Sequence, residues 1–277
     1  MKEKRTLIIA DIHLKWELAE EIIAAVEHDD VTFLGDYFDD FNDNADMIGS
    51  TCEWLGESVK KPNRRHLWGN HDVHYAFPYR TFKCSGYEQW KEFVIQDILP
   101  RGTWEKLEWY CFLGDAWLIS HAGLHKQNLP EDIRNLYTDR PAFFDAIGKY
   151  LDEEIKKGFR SAANNQGSWI FNAGFARGGS QRVGGITWCD FNREFYPILG
   201  LNQIVGHTVQ IFGDVPAWII QDSATAKPNL KMSEKSVSAE KAANVNASYN
   251  VCLDVRRNLY YAVWDGKNLT PGSYNGL

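Results

Sequence analysis

Leu67-Trp68-Gly69-Asn70-His71-Asp72 is the stretch from which the rest of the chain is read. A short apolar approach ends at a glycine, and three side chains able to bind metal or carry protons follow without a gap. Neighbouring side chains on a strand alternate in direction, so Asn70, His71 and Asp72 cannot all converge from one. They converge if the strand has just ended and the backbone turns at Gly69. Alone, Gly-Asn-His-Asp reads equally well as a polar turn. Four other short segments share its design, and the five together decide the fold.

Upstream, residues 6–10 form a continuous apolar run that suits a buried strand, ending at Asp11-Ile12-His13. Asp11 and His13 flank Ile12, so on an extended backbone they point to the same side. Residues 16–26 carry Leu18, Ile22, Ile23 and Val26 at amphipathic-helix spacing. The next apolar strand, 31–34, runs into Gly35-Asp36-Tyr37-Phe38-Asp39-Asp40. Strand, helix, strand implies an α/β protein with parallel pairing, and ligand sites in such sheets collect beyond the carboxyl ends of strands.

A second helix is expected over 45–59, and a third strand over 65–68 delivers the opening motif. Downstream, 87–99 reads as a helix stopped by Pro100, and 104–113 and 116–119 read as strands. The latter ends at Ser120-His121-Ala122-Gly123. A helix is expected over 139–157, with Pro141 at an allowed early position. Residues 167–185 are glycine-rich, carry Arg177 and Arg182, and suit a loop able to close over a ligand. A strand over 198–205 leads into Gly206-His207-Thr208. Residues 223–248 read as an exposed polar loop, partly disordered. Residues 250–255 and 259–264 predict a hairpin across Arg256-Arg257-Asn258 that closes a second sheet. No repeat or linker divides residues 1–277, so a single domain is expected, with a cap-like insertion over about 124–200 and the polar loop over about 223–248.

A chain of 277 residues with 44% hydrophobic content can bury a sizeable core. Its net charge of −7 gives no general signal for nucleic acid or membrane surfaces. The five cysteines, Cys52, Cys84, Cys111, Cys189 and Cys252, are widely spaced and form no C-x-x-C, which argues against a disulfide framework or a thiolate zinc site. The apolar run after Lys2-Glu3-Lys4-Arg5 is too short for a signal peptide or membrane span, so a reduced cytoplasmic setting is expected.

The motifs supply Asp11, His13, Asp36, Asp39, Asn70, His71, His121 and His207. Carboxylates, an amide and imidazoles suit manganese, iron or zinc. A carboxylate between two ion positions, here Asp36, can bridge them, and ions roughly 3.5–4 Å apart acidify a shared water and clamp a phosphoryl group.

The ordered set D-x-H, G-D-x-x-D, G-N-H-D, H-A-G and G-H-T resembles the calcineurin-like metallophosphoesterases, most closely their phosphoprotein-phosphatase branch. The resemblance implies a four-layer α/β/β/α sandwich with two mixed β-sheets and two divalent cations, manganese ahead of iron or zinc. Asp11, His13 and Asp36 would bind the first ion, and Asp36, Asn70, His121 and His207 the second. His71 would be the general acid, oriented by Asp39. The implied reaction is phosphomonoester hydrolysis by a metal-bridging hydroxide, on a small molecule, nucleotide or phosphoprotein. A phosphodiesterase or nuclease is the alternative, and a non-catalytic scaffold of the same fold the second.

The chain also departs from the family pattern. Leu14 follows His13 where glycine is common. Asp40-Phe41 replaces the arginine and glycine after the second motif, Trp68 replaces an arginine two positions before Asn70, and Asp190 stands in a segment that in relatives carries a further arginine. Val209 replaces the second histidine of the diesterase ending G-H-x-H, which favours the phosphatase side. Replacement phosphate contacts are therefore sought in Arg177 and Arg182, with Arg193 next. His74 and His125 match no ligand position and are expected beside the site or on the surface, and Cys189 is expected to be a packed thiol.

Overall fold

β1 (Thr6–Ile9) is buried along its whole length because it has a neighbour on each side. It pairs in parallel with β2 (Asp30–Phe33), which pairs in parallel with β3 (Arg64–His66). The crossovers are α1 (Trp16–Ala25), which buries Ala19 and Ile22, and α2 (Ala45–Ser58). α2 starts where the Asn44 side chain accepts the Met47 N–H at 3.0 Å, a side-chain cap for an otherwise orphaned donor. The computed structural model describes residues 4–77, 83–163, 168–210, 215–224, 228–231, 235–255 and 259–274.

β3 leads through Leu67-Trp68-Gly69 into α3 (Asn70–Ala76), followed by α4 (Gln89–Ile98). The strand expected over 104–113 forms only in its second half. Residues Arg101–Lys106 wind into a 3₁₀ turn after Pro100, which brings Trp104 into a stack on Trp68 with ring centroids 5.3 Å apart. β4 (Tyr110–Leu113) and β5 (Trp117–Ser120) pair antiparallel. After α5 (Glu131–Arg134) comes α6 (Arg140–Ala163), longer than the expected 139–157. α6 lays Phe143, Phe144, Ile147 and Leu151 against Leu118 and Leu201.

β6 (Asn202–Val205), β7 (Ala217–Asp222), β8 (Asn229–Lys231), β9 (Val237–Ser238), α7 (Ala239–Ala243), β10 (Ala247–Cys252), β11 (Leu259–Trp264) and β12 (Asn268–Tyr274) complete the chain. The stretch 223–248 therefore holds two short strands and a helix; residues 225–227 and 232–234 within it lie outside the described set.

The strands form two mixed six-stranded sheets, β3-β2-β1-β11-β12-β9 and β4-β5-β6-β10-β7-β8. Leu7, Ile9 and Ala262 of the first share one core with Trp117, Ile119, Ile204, Trp218 and Val251 of the second. With α1 and α2 packed on the first sheet and α6 on the second, this is the expected α/β/β/α layering. The C-terminal hairpin, however, is not the expected one. β10 pairs with β6 and β7, and β11 with β1 and β12, so the chain changes sheets through 256–258, which lie outside the described residues. The hairpin forms one step later, across Asp265-Gly266-Lys267. There Gly266 takes φ +85° and Asp265 Oδ1 accepts the Lys267 and Asn268 N–H groups at 2.9 and 2.7 Å. An Asp-Gly turn of this kind is the stronger hairpin signal.

Candidate metal centre

The carboxyl ends of β1, β2, β3, β5 and β6 meet at one edge of the sandwich, each bringing its motif. Five non-glycine residues have left-handed backbone among the described residues: His13, Leu14, Asp36, Asp39 and His207, with φ from +41° to +68°. All five lie in or directly beside the motifs. Each costs about 1–2 kcal/mol in an L-residue, a strain that packing sustains where it aims a side chain. Two close approaches fix the loops. A Cβ on Gly69 would sit 2.1 Å from Asp36 Oδ1, and one on Gly206 1.9 Å from Asp11 Oδ1.

Three groups of side chains offer ligand atoms within 4.8 Å of one another: Asp11, His13 and Asp36; Asp36, His121 and His207; and Asp39, His71 and His74. Asp36 belongs to the first two. His13 Nδ1 faces the Asp39 carbonyl at 2.7 Å, which turns its Nε2 toward Asp36 Oδ2 at 3.8 Å. His121 is held the same way, Nδ1 at 2.8 Å from Leu34 O and Nε2 at 2.9 Å from Asn70 Oδ1 and 3.3 Å from Asp36 Oδ2. Such outer contacts fix which nitrogen is free to bind a cation. The Asn70 amide is oriented by its N–H to Cys84 Sγ at 2.9 Å, so its oxygen points inward. Burial keeps the Cys84 thiol well above its usual pKa, so it stays protonated beside the cluster.

The electrostatics of this cluster fit a cation. Asp11 Oδ1 and His207 Nε2 are buried with no hydrogen-bond partner, although buried polar atoms in folded proteins are nearly always paired. Burial and the Asp254 and Asp36 charges hold Asp11 well above the usual carboxylate range. Burial and the Arg177 and His121 charges hold His207 well below its ordinary value, leaving it a neutral donor of its lone pair. Burial works against protonation of His121, yet the Asp36 and Asp11 charges push it up to about 10. A divalent ion would take the place of that proton.

Asp39 holds a second arrangement. Its Oδ2 lies 2.7 Å from His71 Nδ1 and 3.2 Å from His74 Nε2, while its Oδ1 accepts from Tyr75 at 2.5 Å and Lys91 Nζ at 3.3 Å. Burial alone would raise the Asp39 pKa, but the hydrogen bond from His71 and the close approach of the His74 ring carry it well below the usual range. Burial likewise opposes charge on His71, and the Asp36 charge and the Asp39 bond outweigh it, so its pKa is raised. The His71 N–H is anchored on Asp36 Oδ1 at 2.8 Å. His71 thus has one nitrogen fixed by Asp39 and the other free.

Asp72, third of the opening triplet, does not join the cluster. It accepts the Gly69 and Asp36 N–H groups on Oδ2 at 2.8 and 2.9 Å and the Tyr37 N–H on Oδ1 at 2.8 Å, clamping the two loops together. Trp68 is buried in a stack with Trp104 and Trp109 and presents no cation. Arg177 reaches the site edge: Nε is 2.9 Å from Asp190 Oδ2, and Nη2 donates to His207 O at 3.3 Å and Thr208 Oγ1 at 3.1 Å. Arg182 lines a separate cavity of about 590 Å³ with His125, Lys126, Arg134 and Tyr196, which no candidate ligand borders. Cys189 is packed in a small apolar cluster.

Sequence reasoning assigned no role to three participants, although His74 was expected beside the site or on the surface. His74 is fully buried on α3, one turn from His71. Lys91 binds Asp39 from α4 and also reaches Asp43 Oδ2 at 2.5 Å. Asp254 acts on Asp11 from two residues past the end of β10; the signal for it was there, since Val251-Cys252-Leu253-Asp254 repeats in shorter form the apolar-run-then-aspartate pattern of residues 7–11.

The family model described as calcineurin-like phosphoesterase matches residues 4–210. The chain belongs to the calcineurin-like phosphoesterase family. As a member of it the protein is a hydrolase acting on phosphoric ester bonds, with candidate metal-binding clusters at the strand ends. No curated protein matches it by sequence. Among solved structures, the phosphoesterase is similar to a metallophosphoesterase from Sphaerobacter thermophilus, at TM-score 0.50 and 14% identity over 99% of this chain and 89% of that one. It is also similar to a protein serine/threonine phosphatase from Saccharomyces cerevisiae, at TM-score 0.47 and 10% identity over 100% and 81% of the two chains. Among the described residues, no helix is long and apolar enough to cross a membrane.

Proposed function

We propose that this phosphoesterase is a dinuclear metal-dependent phosphatase hydrolysing phosphomonoesters. The observation that carries the reading is that Asp36 belongs to two ligand groups at once, with Asp11 and His13 on one side and His121 and His207 on the other. Asn70 completes the second group through its amide oxygen. Two divalent ions held there would activate water for attack on phosphorus and neutralise charge on the phosphoryl oxygens. The set is oxygen and nitrogen only, which suits manganese, with iron or zinc as the other fits.

The chain's own groups do the rest. Asp39 holds the His71 ring with Nδ1 toward itself, and the free Nε2 donates its proton to the leaving oxygen. His74, Tyr75 and Lys91 keep Asp39 ionised and in place. Asp190 recruits Arg177, whose Nη1 is left to meet a phosphate oxygen. A permanently charged, weakly hydrated guanidinium suits a dianion, so Arg177 is the proposed phosphate contact, and Arg182, on the separate cavity, has no part in it. Phosphorylated small molecules, nucleotides and phosphoproteins share this chemistry. Five buried free thiols suit a cytoplasmic location.

The test is hydrolysis of aryl phosphate monoester and diester side by side, with manganese and with a chelator. Manganese-dependent turnover favouring the monoester is expected. Diester preference would transfer the assignment to a phosphodiesterase or nuclease, and inactivity with only trace bound metal would leave a scaffold.

A further inference from the structure

One parallel strand end contributes no residue to either ligand group. β10 runs parallel to β6 with Cys252 opposite Val205. The two chains stay together past the strands: Leu253 N–H donates to Val205 O at 2.8 Å, and Gln210 N–H to Asp254 O at 2.9 Å. Asp254 therefore leaves its strand alongside the Gly206-His207-Thr208 turn, as Asp11 leaves β1. The residue is 9% exposed, and its Oδ2 is buried with no hydrogen-bond partner. Asp11 Oδ1 is in the same condition.

The charges around these two oxygens do not cancel. After burial, the Asp254 charge is the strongest influence on Asp11, and it is repulsive. Asp254 in turn feels His13, Asp36, His121 and Lys15. Lys15 is exposed and forms no ion pair with it among the described residues. Three neighbouring carboxylates, two with an unpaired buried oxygen, are a costly arrangement unless a cation sits among them. Asp254 lies outside the groups whose ligand atoms come within 4.8 Å of one another, so it is not one of the nearest donors.

We infer that Asp254 is a positioning residue for the cation held by Asp11, His13 and Asp36, retaining it from outside the donor set by charge and through solvent on the ion. The inference rests on the dinuclear reading and deepens it: the first ion position is held by a constellation spanning both sheets. Loss of an outer-shell partner of this kind weakens metal affinity about 10- to 100-fold.

The experiment is a manganese titration of metal-stripped wild type, Asp254→Asn and Asp11→Asn, followed by calorimetry and by thermal melting with and without the ion. Asp11→Asn marks which binding step belongs to the first position. In Asp254→Asn that same step is expected to weaken about 10- to 100-fold while the other step is unchanged. Metal-free Asp254→Asn is expected to melt at or above wild type, because a buried repulsion is gone, and to gain less from manganese. A merely structural residue would instead lower the metal-free melting temperature. Unchanged affinity at both steps, or metal-free destabilisation with both steps weakened together, overturns the inference. Wild type that binds no divalent ion overturns the dinuclear reading itself, and the inference with it.

Discussion

Replacing His71 by Asn tests the proposed proton donation separately from metal binding. The His71 backbone N–H holds Asp36 Oδ1 at 2.8 Å and survives the change, so the ligand groups stay assembled. What is lost is the ring, whose Nδ1 is fixed on Asp39 at 2.7 Å and whose side chain is 15% exposed at the cleft. A positioned general acid contributes about 10²–10⁴-fold when the leaving group needs a proton, or about 3–5 kcal/mol of barrier. An activated aryl leaving group departs without one. The expected result is a loss of this size on an alkyl phosphate and a much smaller loss on p-nitrophenyl phosphate. The pH profile carries the same information. The His71 pKa is raised, by the Asp36 charge and the Asp39 bond acting against burial. The ring is therefore protonated and competent at low pH, and the wild-type rate falls as pH rises through that raised value. The assay is steady-state turnover on both esters with manganese present and metal content measured. Equal fractional losses on the two esters, at full metal content, would remove His71 from its role.

Gly69→Ala should destabilise the fold by about 1–3 kcal/mol, since the new Cβ would meet Asp36 Oδ1 at 2.1 Å and its N at 2.2 Å. An unchanged urea midpoint would contradict that packing. His66, stacked on Phe33 and hydrogen-bonded by Ser58 and Tyr37, is pushed by burial and the Arg64 charge down to about 3. Its stabilising contribution is complete above about pH 6.5 and is lost as pH falls toward that depressed value, at up to about 1.4 kcal/mol per pH unit. Parallel acid-denaturation profiles for wild type and His66→Gln would refute it. Arg177→Ala should raise KM for a phosphomonoester about 10- to 100-fold, the worth of a charged hydrogen bond, with little recovery in Arg177→Lys. Arg182→Ala should leave KM unchanged, and the reverse pattern would exchange their roles.

The five strand ends were legible because each pairs a short apolar run with a polar residue at the point where the sheet stops. The same signal preceded Asp254 and was obscured when its strand was read as half of a hairpin. Residues 250–255 and 259–264 are both apolar enough to be central strands, and local pattern alone does not say that they belong to different sheets. His74 was expected beside the site or on the surface but given no role, because α3 is only seven residues long, too short to show a period, yet its helical rise puts His71 and His74 on one face. The Arg177–Asp190 pair joins the glycine-rich loop to the segment before β6, a contact that only the folded chain reveals. Asp190 first read as a missing arginine. In the fold it is the anchor that recruits one from elsewhere.

Asp11, His13, Asp36 and Asn70 come from one sheet, and His121, His207 and Asp254 from the other. The His121 ring already bridges to Leu34 O, and the His207 N–H to Asp11 Oδ2 at 2.8 Å. A pair of ions at this edge would rivet the two halves of the sandwich where the chain is most strained. Demetallation would then unfasten a mechanical joint, with parting of the halves beginning at this edge.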